Sequence, residues 1–418
     1  MAAPDDFRGR PVPPGSVGCN LSAYSGCFAG VMRLMRGFLV VLAAVAGLTV
    51  PAFPAWADSC DLGDDAENTL QTLPWGLRSM STEALWPLAR GEGQTVAVID
   101  SGVSDRHPVL AGAVDEGDDY TGEGKGGRCD ESGHGTLIAG IIAGRPDPET
   151  DFAGMAPAAR VYAVRLLRDT TRVSDEQVPI RLAAAIREAV DHGASVLNLS
   201  YEGTHHRDLR SAVEYAIAEN VVVVAAAGNQ RSSPDEPPYP AAYDGVLAVA
   251  NVDESGQRAS QSSAGNHVDV AAPGEGVVGP GRRGEGYSGD SGTSYSTAFV
   301  SGLAALLRSH LPELSAADVV DRIVRTAQHP PQGWNPEVGH GIIDPYRAMT
   351  ADLSNDTTAA AGEAPRIRWE ADRGYAARSA AGRLLAVAVV AVVLVAAGRA
   401  VLPRVRGRSA RPADQPRV

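Results

Sequence analysis

From about residue 94 the chain alternates short aliphatic runs with stretches of helical periodicity. The runs Thr95–Ile99, Arg160–Leu166, Ala194–Leu199, Val221–Ala226 and Val246–Ala250 are rich in Val and Ala, and Gly, Asp or Asn bounds them. Runs apolar on both sides predict strands buried inside a parallel sheet. Between them lie Gly133–Ala143, Glu176–Val190 and Arg207–Asn220, the last two with apolar residues spaced at three and four, as helices with one buried face require. The order is βαβα, so the expected class is α/β: a mostly parallel central sheet with helices on both faces. Thr293–Ser309 and Ala316–Thr326 predict two helices that close the body, which ends near residue 349. Residues 350–382 are rich in Ala, Thr and Asp without periodicity and predict a linker.

Both ends carry apolar segments of a different kind. Met32 to Ala57 has basic Arg33 and Arg36, an apolar run Phe38–Val50 and the small-x-small triplet Ala55-Trp56-Ala57. That layout predicts a secretory signal peptide over 32–57, cleaved after Ala57. The competing reading, a first membrane helix, has to span a hydrocarbon core of ~30 Å with a run that rises only ~20 Å. Residues 1–31, rich in Pro and Gly, precede the signal, which puts the natural start near Val31, Met32 or Met35 and makes 1–31 a non-native or disordered extension. Leu384–Gly398 is an uninterrupted run of Leu, Ala, Val and Gly. With flanking Arg383 and Arg399 snorkelling, 383–402 predicts one transmembrane helix. A buried core helix is the alternative, but nothing follows that could pack around it. Arg404, Arg406, Arg408 and Arg411 on the far flank put the tail, 403–418, in the cytoplasm and the body outside, the orientation that the signal peptide also requires.

Charge supports that division. The net charge is −13, and because residues 1–57 carry +2 and residues 399–418 carry +5, the body between them carries −20. An acidic body argues against nucleic acid as a partner. Of four cysteines, Cys19 and Cys27 precede the cleavage site, leaving Cys60 and Cys129. An even pair in an exported chain reads as one disulfide, with two free thiols as the alternative. There is no Cys-x-x-Cys, His-Glu-x-x-His or Walker A sequence, so zinc and nucleotide chemistry have no support. Gly122–Gly127 and Gly284–Gly289 match G-x-G-x-x-G but lack the strand and helix that a phosphate cradle needs, and read as loops.

Three short segments carry chemistry. Val96-Ala97-Val98-Ile99-Asp100 ends a buried strand on a carboxylate, at the sheet edge where ligands of parallel sheets bind. Gly133-His134-Gly135-Thr136 places a histidine between two glycines at the mouth of an apolar helix. Gly292-Thr293-Ser294 places a serine just inside another helix start, where amides and helix dipole favour developing negative charge. Together they are the parts that activate a weak alcohol: Ser294 attacks, His134 takes and returns its proton, and Asp100 fixes the imidazole. Asn229, at the end of the run through Ala226-Ala227-Gly228, supplies an amide for an oxyanion hole with the Ser294 backbone N–H.

Asp-Ser-Gly at 100–102, His-Gly-Thr at 134–136, Ala-Ala-Gly-Asn at 226–229 and Gly-Thr-Ser at 292–294 resemble, in order, the four blocks of the subtilisin-like serine proteases. Arg106-His107-Pro108, Ala271-Ala272-Pro273-Gly274 and Gly339-His340-Gly341 extend the likeness, which covers about residues 90–350. It implies the three-layer subtilisin-like fold over 94–349 and serine endopeptidase activity. Leu73-Pro74-Trp75-Gly76-Leu77, the run Leu85-Trp86-Pro87-Leu88, the extension with Cys60 and the C-terminal anchor resemble, more narrowly, the mycosins, membrane-anchored subtilases of type VII secretion in actinobacteria. That likeness implies an extracytoplasmic protease with a protein substrate and a secretion membrane complex as partner. It also implies that 58–93 wraps the protease domain. A scaffold role within the complex and a general extracellular subtilase are the other readings.

The resemblance further implies that Ser200, Tyr201 and Glu202, with Ala227 and Gly228, bind substrate. Two departures stand out. Tyr295-Ser296-Thr297-Ala298 replaces the common Met-Ala-x-Pro, and Glu202 stands where a small Gly-rich run is usual. Glu202 narrows the specificity pocket or gives it an acidic wall, unless it is a solvated loop carboxylate. His192, His205, His206, His267, His310 and His329 read as surface or capping residues. No cofactor is expected; some subtilases bind calcium, but no Asp-x-Asp-x-Asp-Gly loop marks a site here.

Overall fold

Residues along β1 (Thr95–Asp100) divide by parity between two hydrophobic cores. Val96 and Val98 face one, and Ala97 and Ile99 face the other. This is the period-two consequence of a strand buried on both sides. The computed structural model describes residues 60–62, 68–168, 176–229, 237–284 and 286–353. The predicted signal peptide, membrane helix and basic tail lie outside these residues, as does the predicted linker beyond residue 353; its first residue, Thr350, instead ends a helix. Among the described residues no helix is long and apolar enough to cross a membrane.

β1 joins β2 (Val114–Asp119), β3 (Arg160–Arg165), β4 (Val196–Leu199), β5 (Val222–Ala226), β6 (Leu247–Val252) and β7 (Val270–Pro273) in a sheet ordered β2-β3-β1-β4-β5-β6-β7. Every pairing in it is parallel. α2 (His134–Ala143), α5 (Thr293–His310) and α6 (Ala316–Thr326) belong to the first core, while α3 (Val178–Asp191) and α4 (Arg207–Ala218) fill the second. The result is three layers, with β2 and β3 on one side of β1 and β4 to β7 on the other. Asp100 ends β1 at that switch point.

Several elements were not legible from hydrophobic pattern. β2 has the sequence Val-Asp-Glu-Gly-Asp-Asp and lies at the sheet edge, where charged residues discourage pairing with other chains. β7, the antiparallel pair β8 (Val277–Pro280) and β9 (Tyr287–Asp290), α1 (Trp75–Met80) and α7 (Pro345–Thr350) are too short to show a period. The segment before β1 packs into the first core through Leu77, Met80 and Leu85. Asn68 exchanges backbone hydrogen bonds of 2.8 Å with Tyr287 of β9, and the Trp75 indole donates to the Glu275 carbonyl at 2.9 Å.

Candidate active site

The C-terminal edge of the sheet gathers the four residues singled out from sequence. β1 ends on Asp100, α2 begins on His134, Ser294 is the second residue of α5, and Asn229 follows the end of β5. β1 and α2 approach closely at this edge, because a Cβ on Gly135 would run into the Gly102 carbonyl and lie 3.2 Å from Asp100 Cβ.

His134 Nδ1 donates to Asp100 Oδ1 at 2.6 Å, and the Ser101 N–H donates to the same oxygen at 2.8 Å. A carboxylate acceptor fixes the proton on Nδ1 and leaves Nε2 to act as base. Burial pulls the imidazole pKa down, but the charge and hydrogen bond of Asp100, with Asp130 and Asp290 nearby, outweigh it and raise the pKa above the ordinary value. Ser294 is 7% exposed and makes no side-chain hydrogen bond among the described residues. Catalytic contacts of this kind commonly tighten only when substrate is bound.

Asn229 is oriented by its oxygen. The Thr293 N–H and hydroxyl donate to Asn229 Oδ1 at 2.8 and 3.0 Å, so the amide nitrogen is the end left to donate to a substrate oxygen. Behind it, Ser263 N–H donates to the Gly228 carbonyl at 2.8 Å. His267 Nε2 lies 3.1 Å from the Ala227 carbonyl, to which it donates. His267 therefore props the strand end that carries the oxyanion residue, and is neither a cap nor a free surface group. His206 does cap α4, its Nδ1 accepting from the Asp208 N–H at 3.2 Å.

Ser200 accepts from the Asn198 amide at 3.1 Å, Tyr201 is buried, and Ala227 is fully buried with its N–H bonded to Val249. Glu202 is half-buried, and its carboxylate has a partner within the fold. Its Oε2 accepts the Asn229 backbone N–H at 2.5 Å and would lie 2.6 Å from a Cβ placed on Gly228. Cys60 and Cys129 are bonded to each other, with Cα atoms 5.4 Å apart.

Asp130 went unread in the sequence, and Tyr295 was read there only as a departure from the family pattern. Asp130, fully buried, accepts from Ser101 Oγ (2.8 Å), the N–H groups of Ser132 (3.1 Å), Gly133 (2.7 Å) and Thr136 (2.9 Å), and Thr136 Oγ1 (2.6 Å). It binds the start of the His134 helix to the residue after Asp100, with its charge at a helix N-terminus. The Tyr295 ring packs tilted against the His134 ring, with centroids 5.1 Å apart and planes at 55°, and its hydroxyl donates to Asp290 Oδ2 at 2.6 Å. Burial and then the Asp290 charge hold its phenol protonated, with a pKa well above the ordinary value. α5 forms without the proline common in the family, Ser296 Oγ donating to the Ala272 carbonyl at 3.0 Å and Thr297 Oγ1 to the Thr293 carbonyl at 2.8 Å.

Among the described residues no cluster of three or more His, Cys, Asp and Glu is arranged to hold a metal ion. The acidic residues Asp119, Glu123 and Glu131 instead surround the guanidinium of fully buried Arg165, at 3.1, 2.9 and 2.6 Å. The first of the two G-x-G-x-x-G segments is part of this loop, where Lys125 pairs with Glu123 and Glu131.

An Asp–His pair at the edge of a parallel sheet, a serine at a facing helix start and a braced amide define a serine hydrolase of the subtilisin type. Residues 91–341 match the family described as the Subtilase family, and the chain belongs to that family. Among curated relatives it is 39% identical to mycosin-4 of Mycobacterium tuberculosis (strain ATCC 25618 / H37Rv), over 68% of this chain and 70% of the relative. Among solved structures it is similar to MycP1 from Mycobacterium smegmatis, with a TM-score of 0.61 and 32% identity over 69% of this chain and 89% of that one. A chain in the periplasmic assembly of the ESX-5 inner membrane complex is similar too, with a TM-score of 0.61 and 32% identity over 70% of this chain and 87% of that one. The protein is a serine endopeptidase.

Proposed function

We propose that Ser294 is the nucleophile, His134 the general base and acid, Asp100 the residue that orients and stabilises the imidazole, and Asn229 the side-chain oxyanion donor. The observation that carries this reading is the 2.6 Å bond from His134 Nδ1 to Asp100, which leaves Nε2 as the proton acceptor at the edge where α5 delivers Ser294. Ser294 Oγ attacks the scissile carbonyl carbon as its proton passes to His134 Nε2. The Asn229 amide and the Ser294 N–H receive the oxyanion, and collapse expels the amine with the proton from His134. Water then repeats the sequence on the acyl-enzyme. Ser200 to Glu202 and Ala227 to Gly228 line the substrate at the ends of β4 and β5. A fluorophosphonate probe tests the assignment, because it labels an activated serine without knowledge of the substrate. Labelling of the wild type that is lost in Ser294→Ala is the expected result; labelling retained by that variant overturns the assignment.

The similarity to mycosins and to a chain of the ESX-5 assembly supports a finer reading: an extracytoplasmic protease, anchored by 383–402, that cleaves a secreted protein and supports type VII secretion. Likeness to a chain within a membrane assembly also favours a structural contribution to the complex. Secretion in a Ser294→Ala strain against a gene deletion separates the two: loss in both assigns the role to proteolysis, and loss only on deletion assigns it to the scaffold. Residence of the protein in the carbonate-washed membrane fraction, and its release on deleting 383–418, tests the anchor.

A further inference from the structure

We infer that Glu202 is the specificity-determining residue of this protease: its side chain bars the pocket for the residue whose carbonyl is attacked, so that small side chains there are accepted and large ones refused. The inference rests on Asn229 as the oxyanion donor. If Asn229 holds the carbonyl oxygen, the residue owning that carbonyl lies against the ends of β4 and β5. Its side chain, one bond from the carbonyl carbon, enters between the segment Ser200–Gly203 and the segment Ala227–Asn229.

Glu202 crosses that gap. It starts on the β4 side, and its carboxylate ends on the β5 side, accepting the Asn229 N–H at 2.5 Å. The space above Gly228, which a pocket between these segments has for its floor, is taken: a Cβ there would meet Glu202 Oε2 at 2.6 Å and Ser263 Oγ at 3.1 Å. The floor is tied in place by the Ser263 N–H, which donates to the Gly228 carbonyl at 2.8 Å, and by the Ala227 N–H, which donates to the Val249 carbonyl at 3.0 Å. A large entering side chain must therefore displace the Glu202 carboxylate and break its bond to the oxyanion residue itself. Size selection is thereby coupled to the integrity of the oxyanion hole. Glycine, alanine and serine leave the bar in place.

The test uses the full-length protein in detergent and a peptide series that differs only at the residue before the scissile bond: Ala, Leu, Phe, Arg and Glu. Fluorophosphonate titration counts active sites in each preparation. The wild type is expected to prefer Ala. In Glu202→Ala the ratio of kcat/KM for Phe to that for Ala should rise at least about tenfold, the scale of opening a pocket by one or more methylenes. Glu202→Gln has the length and the acceptor to keep the bar, and should keep the wild-type ratio. Glu202→Asp, which is shorter and still charged, should open the pocket even if Glu202→Ala does not fold. An unchanged ratio in labelled, folded Glu202→Ala or Glu202→Asp overturns the inference. So does a wild-type preference for Arg that Glu202→Gln abolishes, which makes Glu202 an acidic wall. Absent labelling of folded wild type is a different failure, that of the active-site reading.

Discussion

Asp290 acts on His134 without bonding to it. Its charge is one of those that raise the imidazole pKa, and its second role is to hold the Tyr295 hydroxyl against which the imidazole ring packs. A general base must be neutral, so activity rises with pH through a midpoint set by this imidazole, above the ordinary histidine value. Asp290→Asn removes one raising charge, and the acidic midpoint of the kcat/KM profile should move to lower pH. Asp130→Ala is the harsher change: it strips the acceptor from five donors in a fully buried site. A loss above about 3 kcal/mol in denaturant unfolding is expected, since each unsatisfied buried group costs roughly 1–3 kcal/mol. Asp100, His134, Ser294 and Asn229 were legible because each chemical type stands in a short block with its neighbours. Asp130 and His267 were not, because their roles come from contacts that no local pattern encodes.

At the level of elements, legibility followed burial. The five strands read from sequence are apolar on both sides, and their observed bounds differ from the expected ones by one or two residues. β2 was hidden by its acidic edge character, and β7 to β9 by the Pro, Gly and Asp that interrupt their short runs, Val-Ala-Ala-Pro, Val-Val-Gly-Pro and Tyr-Ser-Gly-Asp. Local chemistry can also be tested apart from catalysis. α6 begins with a capping box in which Ser315 Oγ accepts the Asp318 N–H and the Asp318 side chain accepts the Ser315 N–H. This helix lies outside the catalytic set, so Ser315→Ala should cost about 1 kcal/mol of stability. Its peptide-cleavage kinetics should equal those of the wild type.

Across the whole molecule, α2 and α5 share one core on one face of the sheet. Histidine and serine are thus delivered from one helical layer, and aspartate and asparagine from the sheet beneath. The covalent link from Cys60 to Cys129 closes a span of 69 residues and ends beside Asp130. Loss of such a link costs roughly 2–5 kcal/mol. Reductant should therefore lower the unfolding midpoint of the wild type, and should leave that of a Cys60→Ser/Cys129→Ser variant unchanged.

Tyr295 has one more consequence. The residue after the nucleophile, methionine in the common family pattern, here carries no sulfur, and the methionines of the described residues, Met80, Met155 and Met349, are buried in the hydrophobic core. Peroxide converts a thioether to a bulkier, polar sulfoxide. With a phenol in that place, hydrogen peroxide at concentrations that oxidise exposed methionine should leave the rate of peptide cleavage unchanged, and introducing Tyr295→Met should make it oxidant-sensitive.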